Sequence, residues 1–86
     1  MKLPSRNAKQ LGESLARLRK LHNISQSTLG EKAGLRQATI SALENGEAGT
    51  RLQTVFDVLS ALNLELVVQP RPADDDLKKM LEGMLE

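Results

Sequence analysis

Apolar residues recur at helical spacing in the first quarter of the chain. Between residues 7 and 21 they are spaced i, i+4 and i+7, which predicts a first helix over about that range. The stripe consists of Leu11, Leu15, Leu18 and then either Leu21 or Ile24. Residues 1–6 show no such period and contain Pro4, so a short arm is expected before the helix.

Two shorter helices with a tight turn between them are predicted over residues 25–46. The first covers about residues 26–33, with Ser25 as its N-cap and Gly34 at the positive-φ position that ends it. The second covers about residues 37–45. The apolar interior that the two helices share is expected to contain Leu29, Ala33, Leu35, Ile40 and Leu43.

The N-terminal end of the second of these helices presents small or polar side chains. They are Gln37, Ala38, Thr39, Ser41 and Ala42. This end of the helix is therefore expected to touch a partner closely.

A fourth helix is predicted between Thr50, as its N-cap, and Asn63, which ends it. Its apolar face would consist of Leu52, Val55, Phe56, Leu59 and Leu62. Phe56 is the one aromatic residue of the chain and is expected in the core. A chain with no other aromatic residue lacks the stacking platforms that recognise RNA and single-stranded nucleic acid.

The segment 64–70 alternates apolar and polar residues before Pro70, and this pattern predicts a short strand over residues 64–69. No other strand is predicted in the chain, and a lone strand leaves its own backbone groups unpaired. We therefore expect two copies of the chain to pair their strands into an intersubunit sheet. The alternative is that this segment extends the fourth helix by one turn.

Residues 71–86 form an acidic C-terminal tail or a short helix. Pro70 and Pro72 break the chain, and three aspartates then precede a second helical stripe. The stripe consists of Leu77, Met80, Leu81, Met84 and Leu85. It is either a frayed tail or a segment that docks on another molecule. The predicted domain organisation is thus residues 1–63, the dimerisation strand 64–70 and the tail 71–86.

Charge is distributed unevenly along the 86 residues, although the net charge is only +1. Residues 1–51 contain nine basic and four acidic residues, whereas residues 52–86 contain three basic and seven acidic ones. A basic front half fits a polyanionic partner, unless the charges are merely solvated.

The composition excludes several other classes of protein. There is no apolar run near the ~18 residues that span a bilayer, no secretory signal and no cysteine, so a cytoplasmic protein is expected. His22 has no neighbour at metal-ligand spacing, and no phosphate loop or acid pair is present. We therefore expect no metal, no cofactor and no enzymatic activity.

Two short helices, a glycine turn and a small polar face are typical of a helix-turn-helix that enters the major groove of B-DNA. The chain here resembles the Xre and phage-repressor family. The residues that carry the resemblance are Ser25-Gln26, Leu29, Ala33-Gly34-Leu35, Ile40-Ser41 and Leu43-Glu44-Asn45-Gly46. The resemblance implies a mostly α, lambda-repressor-like domain of four to five helices, with one C-terminal strand that pairs across a dimer.

Within that family, the run from Arg36 to Ser41, Asn45 and the single strand are most similar to HipB-type antitoxins. The resemblance covers roughly residues 8–69 and leaves the tail from Pro70 unmatched. It implies a homodimeric repressor that binds a palindromic operator in double-stranded DNA, binds a HipA-type serine/threonine kinase toxin and autoregulates the toxin operon. The alternative is a stand-alone phage-like or metabolic regulator without a toxin partner.

The resemblance also assigns roles to individual residues. Gln26 would hydrogen-bond a phosphate and brace Gln37, and Arg19 would pair with Glu44 across the core. Arg36 stands where a capping Ser or Thr is often found, which weakens the helix cap but adds a cation within reach of phosphate.

The candidate site residues fall into three sets, namely those that read bases, those that contact the DNA backbone and those that form the dimer strand. Base edges would be read by Gln37, Ala38, Thr39 and Ser41, unless these are only a polar helix face. The DNA backbone would be contacted by Gln26, Arg36, Asn45 and Arg51. The dimer strand would be built from Leu64, Leu66, Val67 and Val68.

Overall fold

The structure is a computed structural model that describes residues 2–72 and 75–85, and over these residues it contains five helices and no strand. The mostly α, helix-turn-helix architecture predicted from the sequence is confirmed. The helices are α1 (Ala8–Leu21), α2 (Gln26–Ala33), α3 (Gln37–Glu44), α4 (Leu52–Ala61) and α5 (Asp75–Leu85). None of them is long and apolar enough to cross a membrane, a finding that covers the described residues.

Local sequence explains where the first two helices begin and end. The Asn7 side chain accepts a hydrogen bond from the Gln10 backbone N–H at 2.8 Å and caps α1. The Ser25 hydroxyl accepts one from the Thr28 N–H at 3.0 Å and caps α2. Gly34 then ends α2 with a φ of 71°, which glycine adopts without strain. The predicted caps of α2 are confirmed at both ends.

The first four helices share one hydrophobic core. The most extensive helix contacts in it are those of α1 with α3, α2 with α3 and α2 with α4. The apolar positions predicted from the period of α1 and of the central helices supply half of its buried residues, and α4 with the residue after it supplies the other half. The buried members are Leu15, Leu29, Ile40, Leu43, Val55, Val58, Leu59 and Leu62. Ile24 packs against this cluster, whereas Leu21 is exposed, which settles the choice between them for the first stripe.

Two glycines allow α1 to lie directly on the end of α3. A Cβ at Gly12 would clash with the backbone oxygen of Leu43 and would lie 2.6 Å from that of Glu44. A Cβ at Gly46 would lie 2.6 Å from the Lys9 Cα, and Gly46 also has a φ of 78°. This close approach positions α1 against the C-terminal end of α3.

The predictions for α4 were wrong at three positions. Thr50 does not cap the helix, because its hydroxyl donates to the Glu47 carbonyl at 3.1 Å and Arg51 is the N-cap. Leu52 and Phe56 are 66% and 43% exposed. The helix presents Val55, Val58, Leu59 and Leu62 to the core instead, so its buried face is rotated away from Leu52 and Phe56.

The chain leaves the core after Asn63, whose φ of 57° ends α4. Residues 64–70 are not helical, so the alternative that they extend α4 is wrong. Leu64 packs on the core, but Leu66, Val67 and Val68 are exposed. The structure contains a single chain, so pairing of this segment with a second copy stays a prediction.

The C-terminal stripe forms the helix α5, which takes part in none of the extensive pairings of α1–α4. Met80, Met84 and Leu85 are 67%, 79% and 88% exposed. The apolar stripe of α5 is thus largely exposed, and its docking on another molecule stays a prediction. Of the three aspartates at positions 74–76 that were counted at the start of this stripe, the first lies outside the described residues, which resume at Asp75.

Candidate nucleic-acid interface

The first turn of α3 faces away from the core. Gln37 and Ala38 are exposed, whereas Thr39 and Ser41 are partly buried at the edges of the helix. The reason is the helical period, since Ile40 is fully buried on the opposite side and fixes the rotation of the helix. All four predicted base-reading residues therefore lie on the outer half of α3 or at its border.

The N-cap position of α3 is occupied by an arginine, which provides a positive charge but no capping hydrogen bond. Arg36 is the N-cap residue, and its side chain makes no capping hydrogen bond. It is exposed beside Gln37. The first turn of α3 thus presents backbone N–H groups and a guanidinium on the same surface, both of which favour a phosphate.

A shallow depression connects α3 to the start of α4. It brings Arg51 close to Ala38 and Thr39, which places one predicted phosphate contact next to two predicted base contacts. Its lining consists of Leu35, Ala38, Thr39, Ala42, Glu47, Gly49, Thr50, Arg51 and Thr54. Like Arg36, Arg51 is an N-cap without a side-chain capping hydrogen bond.

Asn45 lies apart from this group. It is the C-cap of α3 and is exposed at the end of the eight-residue helix, about 12 Å along the axis from the first turn. It does not line the depression. Asn45 is therefore not part of the group that Arg51 forms with Ala38 and Thr39.

The Arg19–Glu44 ion pair is present in the structure as a two-point contact. The Arg19 Nε donates to Glu44 Oε2 at 2.7 Å, and Nη2 donates to Oε1 at 3.0 Å. Nη1 donates to the Ile24 carbonyl at 2.8 Å. The hydrogen bond with Glu44 raises the pKa of Arg19, and Coulomb attraction to the same carboxylate adds to this effect against the opposing desolvation.

Gln26 makes a contact with Glu44 that the sequence did not predict. Its Nε2 donates to Glu44 Oε1 at 3.1 Å. Over the described residues, the structure gives no hydrogen bond between Gln26 and Gln37, so Gln26 is joined to α3 at its last residue, Glu44, and not at its first. The sequence carried no signal for the observed contact, because Gln26 and Glu44 are distant in the chain and meet only when α2 packs on α3.

A second surface is formed by α4 and the segment that follows it. Phe56, Leu59, Leu64 and Leu66 line a groove whose polar border includes Asp57 and Glu65. Phe56 had been assigned to the core, and its place in this groove was missed. The signal that could have revealed it is Val58, since a face centred on Val55, Val58, Leu59 and Leu62 turns Phe56 outward.

Comparison with known proteins supports the helix-turn-helix assignment. The family model described as helix-turn-helix matches residues 15–69. Antitoxin HipB of Escherichia coli K12 is 37% identical over 59 residues, which cover 69% of this chain and 67% of the antitoxin.

Solved structures of HipB have the same fold as this chain. The HipB–O4 20mer complex superposes with a TM-score of 0.74 at 33% identity, over 78% of this chain and 94% of HipB. The HipA–HipB–O2–O3 complex gives a TM-score of 0.73 at 33% identity, with the same coverage of both chains. The chain therefore belongs to the Xre-type helix-turn-helix family and, within that family, is similar to the HipB antitoxins.

Proposed function

We propose that this protein is a sequence-specific DNA-binding repressor that acts as the antitoxin of a HipA-type serine/threonine kinase toxin and autoregulates their operon. The observation that carries the proposal is the exposed first turn of α3, which presents Gln37 and Ala38 beside two arginines, Arg36 and Arg51. The similarity to HipB, which has been solved in complexes with HipA and with a 20mer, supports both partners. The protein is a DNA-binding regulator and not an enzyme, and its site of action is the cytoplasm.

In this proposal the first turn of α3 enters the major groove. Gln37 would bond adenine through the oxygen and the NH₂ of its side-chain amide, and Ala38 would contact a thymine methyl. Thr39 and Ser41, at the borders of the helix, reach a base edge or a phosphate. Specificity would therefore depend chiefly on Gln37, the one long side chain of the four.

Cations and amides around α3 would fix the protein on the DNA backbone. Arg36 is the N-cap of α3, Arg51 lines the depression beside Ala38 and Thr39, and Gln26 opens α2. Asn45 would contact a further phosphate from the far end of α3. These contacts position the protein without reading sequence, so they should make binding depend steeply on salt.

A homodimer would present two recognition helices to a palindrome. We propose that residues 64–69 of two chains pair as strands, built from Leu64, Leu66, Val67 and Val68. The exposure of Leu66, Val67 and Val68, and the groove between Leu66 and Phe56, support this pairing, because an uncovered apolar surface of this kind favours association. The half-sites should then be about 34 Å apart. The units of the chain would be residues 1–63, the strand 64–70 and the tail 71–86.

The proposal is tested by two measurements on the intact protein. A tagged chain is recovered from its host, and proteins bound to it are identified by mass spectrometry. In parallel, its own promoter DNA and a scrambled duplex of equal length are titrated in a gel-shift assay. A stoichiometric kinase together with selective promoter binding is the expected result. Selective binding without a kinase would instead support the stand-alone regulator.

A further inference from the structure

We infer that Glu44 is a positioning residue for DNA binding, whose carboxylate, held by Arg19, fixes the side-chain amide of Gln26 so that its second N–H faces a DNA phosphate. This inference rests on the proposed function, and it adds a DNA-binding role for a side chain that is only 6% exposed. Glu44 would act through Gln26 without touching DNA itself.

The contacts form a chain that begins in the core and ends at the surface. Three nitrogens of the Arg19 guanidinium are hydrogen-bonded, two of them to Glu44 and one to the Ile24 carbonyl. The guanidinium therefore has a single orientation, and it holds both carboxylate oxygens in place. One of these oxygens, Oε1, also accepts the bond from Gln26 at 3.1 Å.

The chemistry of the acceptor decides which end of the Gln26 amide faces inward. An ionised carboxylate only accepts hydrogen bonds, so the NH₂ group must point toward Glu44 and the amide oxygen away from it. One hydrogen of this NH₂ group is used, and the other is left for an acceptor outside the protein. With Gln26 at the first position of α2, where helix N–H groups favour an anion, that acceptor is a phosphate oxygen.

The positive charge of Arg19 allows the Glu44 carboxylate to lie near DNA. A free glutamate would repel a phosphate, but the positive charge of Arg19 lies 2.7 Å from Glu44 and compensates it. Glu44 thus orients a donor without adding net negative charge to the interface. Gln26 would also lose less rotamer freedom on binding, because the contact with Glu44 already orders it.

The test is a double-mutant cycle on promoter DNA with Gln26→Ala and Glu44→Asp. Aspartate keeps the charge opposite Arg19 but is one methylene shorter, so it cannot reach both Arg19 and Gln26. We expect each single variant to weaken binding about five-fold, the loss of roughly one hydrogen bond, and the double variant to weaken it no further. The loss should be equal on promoter and scrambled DNA, since a phosphate contact reads no sequence.

Three outcomes would overturn the inference: independent effects that multiply to about 25-fold in the double variant, no effect of Glu44→Asp, or no effect of Gln26→Ala. Failure of the wild-type protein to bind its promoter would instead overturn the proposed function. A measurement on the wild type covers the case in which Glu44→Asp does not fold. The ¹⁵N relaxation of the Gln26 side-chain amide should show it to be as ordered as the backbone of α2 in the free protein, and a freely rotating amide would refute the inference.

Discussion

Arg19 and Glu44, 25 residues apart in the chain, meet through two parallel hydrogen bonds of 2.7 Å and 3.0 Å. Their side chains are 10% and 6% exposed. The pair joins the last turn of α1 to the last turn of α3 and so fixes the recognition helix against the core. Because both charges are largely withdrawn from water, each depends on the other.

Replacing Arg19 with methionine should therefore destabilise the protein strongly. The free energy of unfolding is expected to fall by about 3 kcal/mol, because the Glu44 carboxylate is left buried and uncompensated. Urea denaturation measures this change. The double variant Arg19→Met, Glu44→Leu is the control and should recover at least half of the loss, whereas equal stabilities of the single and double variants would contradict the explanation.

Alanine at Gly12 should separate α1 from α3. Its Cβ would overlap backbone oxygens at the end of α3, which cannot move as a flexible side chain could, so we expect a loss of about 2 kcal/mol despite the better helix propensity of alanine. Gly49→Ala is the matched control, since a Cβ there meets nothing within 4 Å. Thermal unfolding of the two variants should differ clearly, and similar melting temperatures would refute the close contact.

Ser25, which caps α2, and Thr50, which does not cap α4, should respond differently to replacement by alanine. Ser25→Ala removes a side-chain acceptor from the Thr28 N–H and should cost about 1 kcal/mol. Thr50→Ala removes only a bond to the Glu47 carbonyl in an exposed turn, so a change within about 0.5 kcal/mol is expected. Chemical denaturation distinguishes the two, and a cost of the Thr50 variant equal to that of the Ser25 variant would restore Thr50 as a cap.

Gln37→Ala should relax sequence specificity at one base step. The loss of a bidentate base contact is expected to weaken promoter binding by about 1 to 3 kcal/mol and to leave binding to scrambled DNA nearly unchanged. Arg36→Ala is the control from the adjacent position, because a phosphate contact should weaken both duplexes alike. Equal losses of the Gln37 variant on both duplexes would contradict its base-reading role.

Leu66→Asp should convert the proposed dimer into monomers. Two aspartates would be buried at the contact between the 64–69 segments, where an unpaired charge is strongly unfavourable. Sedimentation velocity should show the monomer, and promoter affinity should fall because the second half-site is lost. Leu85→Asp is the control, since Leu85 is also an exposed apolar residue but lies in α5. Dissociation of both variants to monomers would place the dimer contact in the tail instead.

The sequence was informative wherever a local rule determines the structure. Ser25 and Gly34 bound α2 because a capping hydroxyl and a positive φ each have a strong residue preference. Ile40 and Leu43 are buried because the helical period puts them on one face. The Arg19–Glu44 contact followed only from resemblance to a family, since no local rule joins residues 25 positions apart.

What the sequence did not reveal depends on how the helices pack against one another. Two apolar faces of α4 fit the helical period, one with Leu52 and Phe56 and one with Val58. Val58 favours the second face, and the packing of α4 on α2 buries it. The bond from Gln26 to Glu44 likewise requires α2 and α3 to be in place. The pairing of residues 64–69 depends on a second chain and so on concentration as well as sequence.

The two arginine N-caps lower the stability of the folded protein but supply positive charge for DNA binding. Serine or aspartate at Arg36 or Arg51 would satisfy the first turn of α3 or α4 and should make the isolated protein more resistant to heat, by about 1 kcal/mol at each position. The same exchange would remove a positive charge from the surface that we propose to face DNA. Selection for thermal stability alone should therefore yield variants that outlast the wild type and repress less well.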